Sequence, residues 1–186
     1  MNSEFPDDEK QLLEQSREGD AEAYALLVDR YKDMTFTLAY RMLGDQDSAN
    51  DMAQETFISA YQGLAQFRAG SKFSTWLTSI VLNKCRDHLR ARKKIVSVDG
   101  LEEELAAPDE SPEAAASGRQ TRDAVQSALA GIPPDYREVL VLKHIEGLDY
   151  REIAEITGDS IAALKVRAHR GREMLKQQLE AREIMP

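Results

Sequence analysis

The 186-residue chain has little of what most catalytic and metal-binding chemistry needs. It holds one cysteine, Cys85, and three histidines, His88, His144 and His169. A lone cysteine excludes an intramolecular disulfide and a multi-cysteine zinc site within one chain. Cys85 and His88 share a helical turn and make at most half a metal site. They read as a core cysteine beside a half-exposed histidine. No phosphate-binding loop and no nucleophile-elbow motif occurs. Neither enzymatic chemistry nor a cofactor or metal is therefore expected. No stretch approaches the roughly 20 apolar residues of a membrane helix, so no membrane insertion is expected. The first ten residues are acidic and lack an apolar segment, unlike a secretory signal. The expected compartment is the cytoplasm.

What the chain has is charge. It carries 33 acidic and 24 basic residues, a net −9. That balance alone disfavours a polyanionic partner, but the charge is unevenly placed. Residues 1–67 carry −9, 68–94 carry +7, 95–118 carry −7, 119–160 carry −3 and 161–186 carry +3. Two basic blocks inside an acidic chain match local binding of a polyanion. The segment 95–118 contains Pro108, Pro112, the run Glu102, Glu103 and Glu104, and no basic residue. It reads as a linker that like charges keep open. Fully extended it reaches about 80 Å. It separates an N-terminal domain, 1–94, from a C-terminal domain, 119–186.

Both domains read as helical, and the fold class as all-α. Asp20 caps a helix with apolar positions Tyr24, Leu27, Val28, Tyr31, Leu38 and Met42, stopped at Gly44. Asp47 or Ser48 is placed to cap the next, whose stripe is Ala49, Met52, Ala53, Thr56, Phe57, Ala60 and Leu64. Ser74 is placed to cap a third, reaching about Arg92. Trp76, Ile80, Asn83, Asp87 and Arg90 project from it opposite the apolar arc. Beyond the linker, a helix ends at Gly131, and a second runs from Pro133 and Pro134 to Gly147. Asp149 and Glu152 form a capping-box pair for a short third helix, over 150–157. After Gly158, a fourth runs to about Glu180 with the stripe Ile161, Leu164, Ala168, Gly171 and Leu175.

The last two helices and their glycine-containing turn make a helix-turn-helix candidate. Ala162, Lys165, Val166, His169, Arg170 and Arg172 face away from the apolar stripe. One packed face and one cationic face suit a helix laid in a major groove. Arg151 is placed for a phosphate contact. In the central basic block, Phe67, Phe73 and Trp76 interleave with Arg68, Lys72, Lys84, Arg86 and Arg90. Rings that stack bases, set among cations that follow the backbone, suit single-stranded nucleic acid. The alternative is that these aromatics are core.

The runs DMAQETFISAYQGLAQFRAGSKFSTWLTSIVLNKCRDHLRAR (51–92) and GIPPDYREVLVLKHIEGLDYREIAEITGDSIAALKVRAHRGREML (131–175) resemble the extracytoplasmic-function (ECF) group of bacterial sigma factors. The resemblance implies a protein that binds core RNA polymerase, through its β′ clamp and β subunit, and directs it to promoter DNA. It places Asp51, Gln54, Glu55, Phe57, Ile58 and Tyr61 against the β′ clamp. It gives reading of the opened −10 element to Phe67, Arg68, Lys72, Phe73, Trp76, Asn83, Lys84, Arg86, Asp87 and Arg90. Reading of the −35 duplex falls to Arg151, Ser160, Lys165, Val166, Arg167, His169, Arg170 and Arg172. An anti-sigma factor is a further implied partner. Where the family often has Ser-x-Gly-Thr-Val, this chain has Ser160, Ile161, Ala162, Ala163 and Leu164. The last helix therefore lacks a close backbone approach and a hydroxyl at its start.

A stand-alone dimeric helix-turn-helix regulator is the competing reading. It accounts for residues 131–180 but leaves 67–94 without a role. The acidic linker resembles a polyanion, expected either to sit in basic channels meant for nucleic acid or to fold back over residues 68–94 and weaken binding to free DNA. Neutralising Glu102, Glu103 and Glu104 together is then expected to raise affinity for free DNA at low salt. An unchanged affinity counts against fold-back.

Overall fold

The computed structural model describes residues 6–67, 72–99 and 118–181. Every regular element among them is helical. No helix there is long and apolar enough to cross a membrane. Residues 100–117, which include the carboxylates of the fold-back idea, lie outside the described residues.

Capping chemistry sets most boundaries. Asp20 accepts from the amides of Glu22 and Ala23, at 2.9 and 3.1 Å, and opens α2 (Ala21–Leu43). Gly44 closes it at φ 89°, a conformation an L side chain resists. Because α2 ends so sharply, the next extended residue is Asp45. It caps α3 (Gln46–Gly63) by accepting from Ser48 N at 2.7 Å, so neither Asp47 nor Ser48 is the cap. A short 3₁₀ turn, Leu64–Gln66, follows. The helix α4 (Phe73–Asp99) already includes Ser74, which is no cap, and continues beyond Arg92. An unforeseen helix, α1 (Pro6–Arg17), precedes these. Arg17 donates to the Leu64 carbonyl at 3.2 Å and to that of Phe67, so α1 holds the chain entering residues 68–71.

The C-terminal half contains α5 (Gly118–Ala130), α6 (Pro134–Leu140), a π-helical turn (Val141–Ile145), α7 (Tyr150–Thr157) and α8 (Ile161–Glu180). Asp149 and Glu152 close the capping box foreseen from the sequence.

The apolar stripes build two cores. One gathers Leu12, Leu13, Leu27, Phe57, Leu64, Phe67, Phe73 and Leu77. The other joins the two halves of the chain. It contains Leu38, Met42, Met52, Val81, Leu82 and Cys85 from one side, and Leu129, Ile132, Leu142, Ile153, Leu164 and Ala168 from the other. Thus α2, α3 and α4 each serve both cores.

Gly171 lets α8 approach α6. A Cβ there would lie 3.1 Å from Leu140 Cγ and 3.3 Å from the Tyr136 carbonyl oxygen. Gly171→Ala is expected to destabilise the protein. Overpacking of about 1–3 kcal/mol outweighs a helix-propensity gain of about 1 kcal/mol. The measurement is the urea midpoint, which should fall at unchanged m-value.

Candidate nucleic-acid and protein-docking surfaces

Helix α3 turns one stripe outward. Asp51, Gln54, Glu55, Ile58 and Tyr61 are exposed at steps of three and four. Ile58 is 59% exposed, and an isoleucine so placed is available to a protein partner. Phe57 points the other way, into the core, and is corrected from a docking residue to a packing one. Its carbonyl accepts from Tyr24 Oη at 2.6 Å.

The central block divides differently from the sequence reading. Phe73 is 1% exposed and Phe67 7%, with ring centroids 5.7 Å apart. Neither ring is open to stack a base here, so both are core. The cause is the 3₁₀ turn, which returns the chain to the core at Phe67. Trp76 is half-buried, 5.0 Å from the Phe67 ring and 5.7 Å from Phe73, and keeps part of its surface outward. Arg68 lies outside the described residues. Asn83, Asp87 and Arg90 are exposed on α4, with Arg90 3.3 Å from Asp87.

Three further cations of this block pair with carboxylates on other helices. Lys84 meets Glu55 of the exposed α3 stripe at 3.2 Å. Lys72 meets Glu152 of α7 at 3.2 Å. Arg86 clamps Glu138 of α6 with two bonds, 2.8 and 2.5 Å, and also donates to Asn83 at 2.9 Å. The carboxylate of Glu138 raises the Arg86 guanidinium above its ordinary value.

Helix α8 presents the expected face. Lys165, Val166, His169 and Arg170 are exposed, while Leu164, Ala168 and Gly171 are buried. Ser160 caps the helix through Ala163 N at 3.2 Å. Ile161 is exposed rather than part of the buried stripe, because it is the first helical residue and lies above the packed turn. Arg167 is held by both oxygens of Asp159, which ties the turn to α8. Arg151 is exposed in the first turn of α7. Arg172, at the edge of the exposed arc, lines a cleft of about 290 Å³ with Val125, Leu129, Leu140, Ile145 and Leu175. No group of His, Cys, Asp and Glu among the described residues is arranged to hold a metal ion.

Two segments of the chain match known protein families. Residues 27–95 match the family model for Sigma-70 region 2, and residues 122–175 that for Sigma-70 region 4. The chain is 38% identical over 179 residues to the ECF RNA polymerase sigma factor SigW of Bacillus subtilis, covering 91% of this chain and 96% of that one. The chain belongs to the ECF sigma factors of the sigma-70 family. The sigma factor is also 34% identical over 181 residues to the RNA polymerase sigma-H factor of Pseudomonas aeruginosa, with 92% and 94% covered. Its fold resembles the sigma factor RpoE of Bartonella quintana, solved with the anti-sigma factor NepR, at TM-score 0.73 and 25% identity, covering 86% of this chain and 98% of that one. It also resembles CnrH, solved with the cytosolic domain of CnrY, at TM-score 0.67 and 27% identity, with 94% and 98% covered. As a sigma factor, the protein directs promoter-specific transcription initiation and is not an enzyme. The stand-alone regulator is not favoured.

Sequence reasoning missed three residues that join the sigma factor's halves: Gln126, Arg137 and Glu138. Gln126 and Arg137 donate to carbonyls of α2, and Glu138 receives Arg86. No motif marks them, because their partners are more than 50 residues away in sequence.

The capping box makes a pH prediction. Backbone amides hold Asp149 below its ordinary value, and an amide with Lys72 does the same for Glu152. Carboxylates depressed on folding contribute stability that is present above their unfolded values and lost as pH falls through the folded ones. The factor should therefore lose stability below about pH 4, and Asp149→Asn should flatten that acid limb in thermal melts.

Proposed function

We propose that α8 reads the −35 element as duplex and α4 the −10 element as opened strand, while α3 docks on polymerase. The observation that carries this is the segregation of α8. Lys165, Val166, His169 and Arg170 share an exposed arc, and Leu164, Ala168 and Gly171 fill the core. Lys165 and Arg170 supply cations for guanine edges, and Val166 an apolar contact for a thymine methyl. Arg151, Ser160 and Arg172 lie nearer the phosphates, and Arg167, tied to Asp159, orients the turn.

On α4, Trp76, Asn83, Lys84, Arg86, Asp87 and Arg90 take the opened strand with Lys72 and Arg68. Phe67 and Phe73 shape the platform from within. Asp51, Gln54, Glu55, Ile58 and Tyr61 meet the β′ clamp, and Phe57 fixes that helix from behind. The β subunit is assigned to the apolar cleft beside Arg172, which lies off the DNA-facing row. Domains at 1–94 and 119–186, joined through 95–118, carry the two readers. The solved neighbours support an anti-sigma factor as a further partner. A factor acting on core polymerase works in the cytoplasm.

The test is abortive transcription from a library of duplex promoters with purified core polymerase, with and without the protein. Initiation that depends on the protein, from templates sharing two elements at fixed spacing, is expected. No initiation, together with a footprint by the protein alone on a palindromic site, overturns the reading. Lys165→Ala or Arg170→Ala should cost about 1–3 kcal/mol and relax one −35 position each. Ile58→Glu should weaken core polymerase binding at least tenfold in a competition assay and leave helix content unchanged.

A further inference from the structure

Of the three rings in the central block, Trp76 alone keeps part of its surface outward. A packed niche holds it. The Phe67 ring lies 5.0 Å away and the Phe73 ring 5.7 Å, and both are buried. A Cβ on Gly63, the last residue of α3, would lie 3.4 Å from Trp76 Cζ2. In a close-packed niche, the outward direction of the indole is set by where the two phenylalanine rings sit.

Helix α1 reaches both of those rings. Arg17, its last residue, donates from Nε to the Leu64 carbonyl at 3.2 Å and from Nη2 to that of Phe67. Its guanidinium also lies 5.7 Å from the centre of the Phe67 ring. Leu64 begins the 3₁₀ turn and Phe67 follows it, so one planar fork fixes the turn and the ring beyond it. Near the other end of α1, Glu9 accepts from Tyr31 Oη, and the Tyr31 ring meets that of Phe73 edge-on at 5.4 Å. The two lines of contact, Arg17 to Phe67 and Glu9 through Tyr31 to Phe73, converge on Trp76. Residues 27–95 match the region 2 model, so α1 lies before the matched segment.

We propose that Arg17 and Glu9 are positioning residues for strand reading: they fix the Phe67 and Phe73 rings and so aim Trp76 at the opened −10 strand. The proposal rests on the strand-reading role given to Trp76 above. A ring fixed before the strand arrives need not be ordered on binding, which favours the complex. The donors of Arg17 serve carbonyls rather than phosphate, so its effect on DNA runs through the indole.

The experiment combines each factor with purified core polymerase. Abortive initiation is measured over a range of factor concentrations, on a duplex promoter drawn from the library assay. Arg17→Ala and Glu9→Ala should each lower the rate at saturating factor at least threefold and leave the half-saturating concentration unchanged. Glu14→Ala, the same change as at Glu9 but at an exposed position of α1, should alter neither. Trp76→Ala should initiate at least tenfold more slowly, and adding Arg17→Ala to it should lower the rate no further. The free factor gives an optical reading, because Trp76 is the only tryptophan of the chain. Acrylamide should quench its emission about twice as efficiently in Arg17→Ala and Glu9→Ala as in the natural protein and Glu14→Ala.

Unchanged saturated rates in Arg17→Ala and Glu9→Ala overturn the proposal, and so does equal quenching in all four proteins. A loss that persists undiminished in the Trp76→Ala background overturns it as well, since Arg17 then acts by a contact of its own or through the fold at large. So does a raised half-saturating concentration at an unchanged saturated rate, which marks a loss of folded factor. If Trp76→Ala initiates as fast as the natural protein, the strand-reading role itself fails and takes this proposal with it. A slow Trp76→Ala beside a fast Arg17→Ala removes the positioning role alone.

Discussion

The architecture turns on one buried cation. Burying a guanidinium is costly unless its donors are satisfied. Arg137 meets that condition with carbonyls at the ends of two helices: Met42 near the end of α2, and Ala130, the last residue of α5, with Ile132 just beyond. Helix C-termini carry partial negative charge, so the placement is electrostatically favourable. Burial lowers the guanidinium to about 10, which leaves it a cation at neutral pH. The shared core assembles around this point, with Met42 on one side and Ile132 on the other.

The segregation of charge along the chain becomes, in three dimensions, a competition. Lys72, Lys84 and Arg86 each face an acidic side chain from another helix: Glu152, Glu55 and Glu138. The lysine pairs are exposed, and pairs of that kind contribute little and yield readily to phosphate. The Arg86–Glu138 pair is bidentate and its carboxylate buried, which makes it the strong one. An acidic chain can therefore bind nucleic acid and still rest with its cations occupied by its own carboxylates.

Features that depend on local chemistry were legible in the sequence. The Asp20 cap, the Gly44 stop, the Asp149 and Glu152 box, and the two faces of α8 all follow from neighbours within one or two turns. Errors arose where tertiary packing overrode a local signal. Ser74 has a capping side chain, but burial of the Phe73 ring starts α4 one residue earlier. Phe67 and Phe73 alternate with cations as a stacking platform does, yet the turn after Leu64 folds both inward. Asp45 outcompetes Asp47 because the Gly44 turn delivers it first. The α1 helix was hidden by an acidic N-terminus whose apolar content is little more than Leu12 and Leu13. The outer stripe of α3 was visible only through the family resemblance, and its geometry separates the buried Phe57 from the exposed residues.

Helix α3 has a position that links its outer face to the core shared by the two halves. Ala49 and Met52, in its first turns, lie in the core shared by the two halves, while Phe57 and Ala60 lie in the other. The exposed stripe from Asp51 to Tyr61 runs along the back of both groups. A ligand on that stripe that favoured parted halves would bind less tightly while the shared core is intact. By thermodynamic linkage, such a ligand and the packing of the shared core would weaken each other by the same factor. A ligand with that preference would have its affinity set in part by the free energy that holds the two halves together.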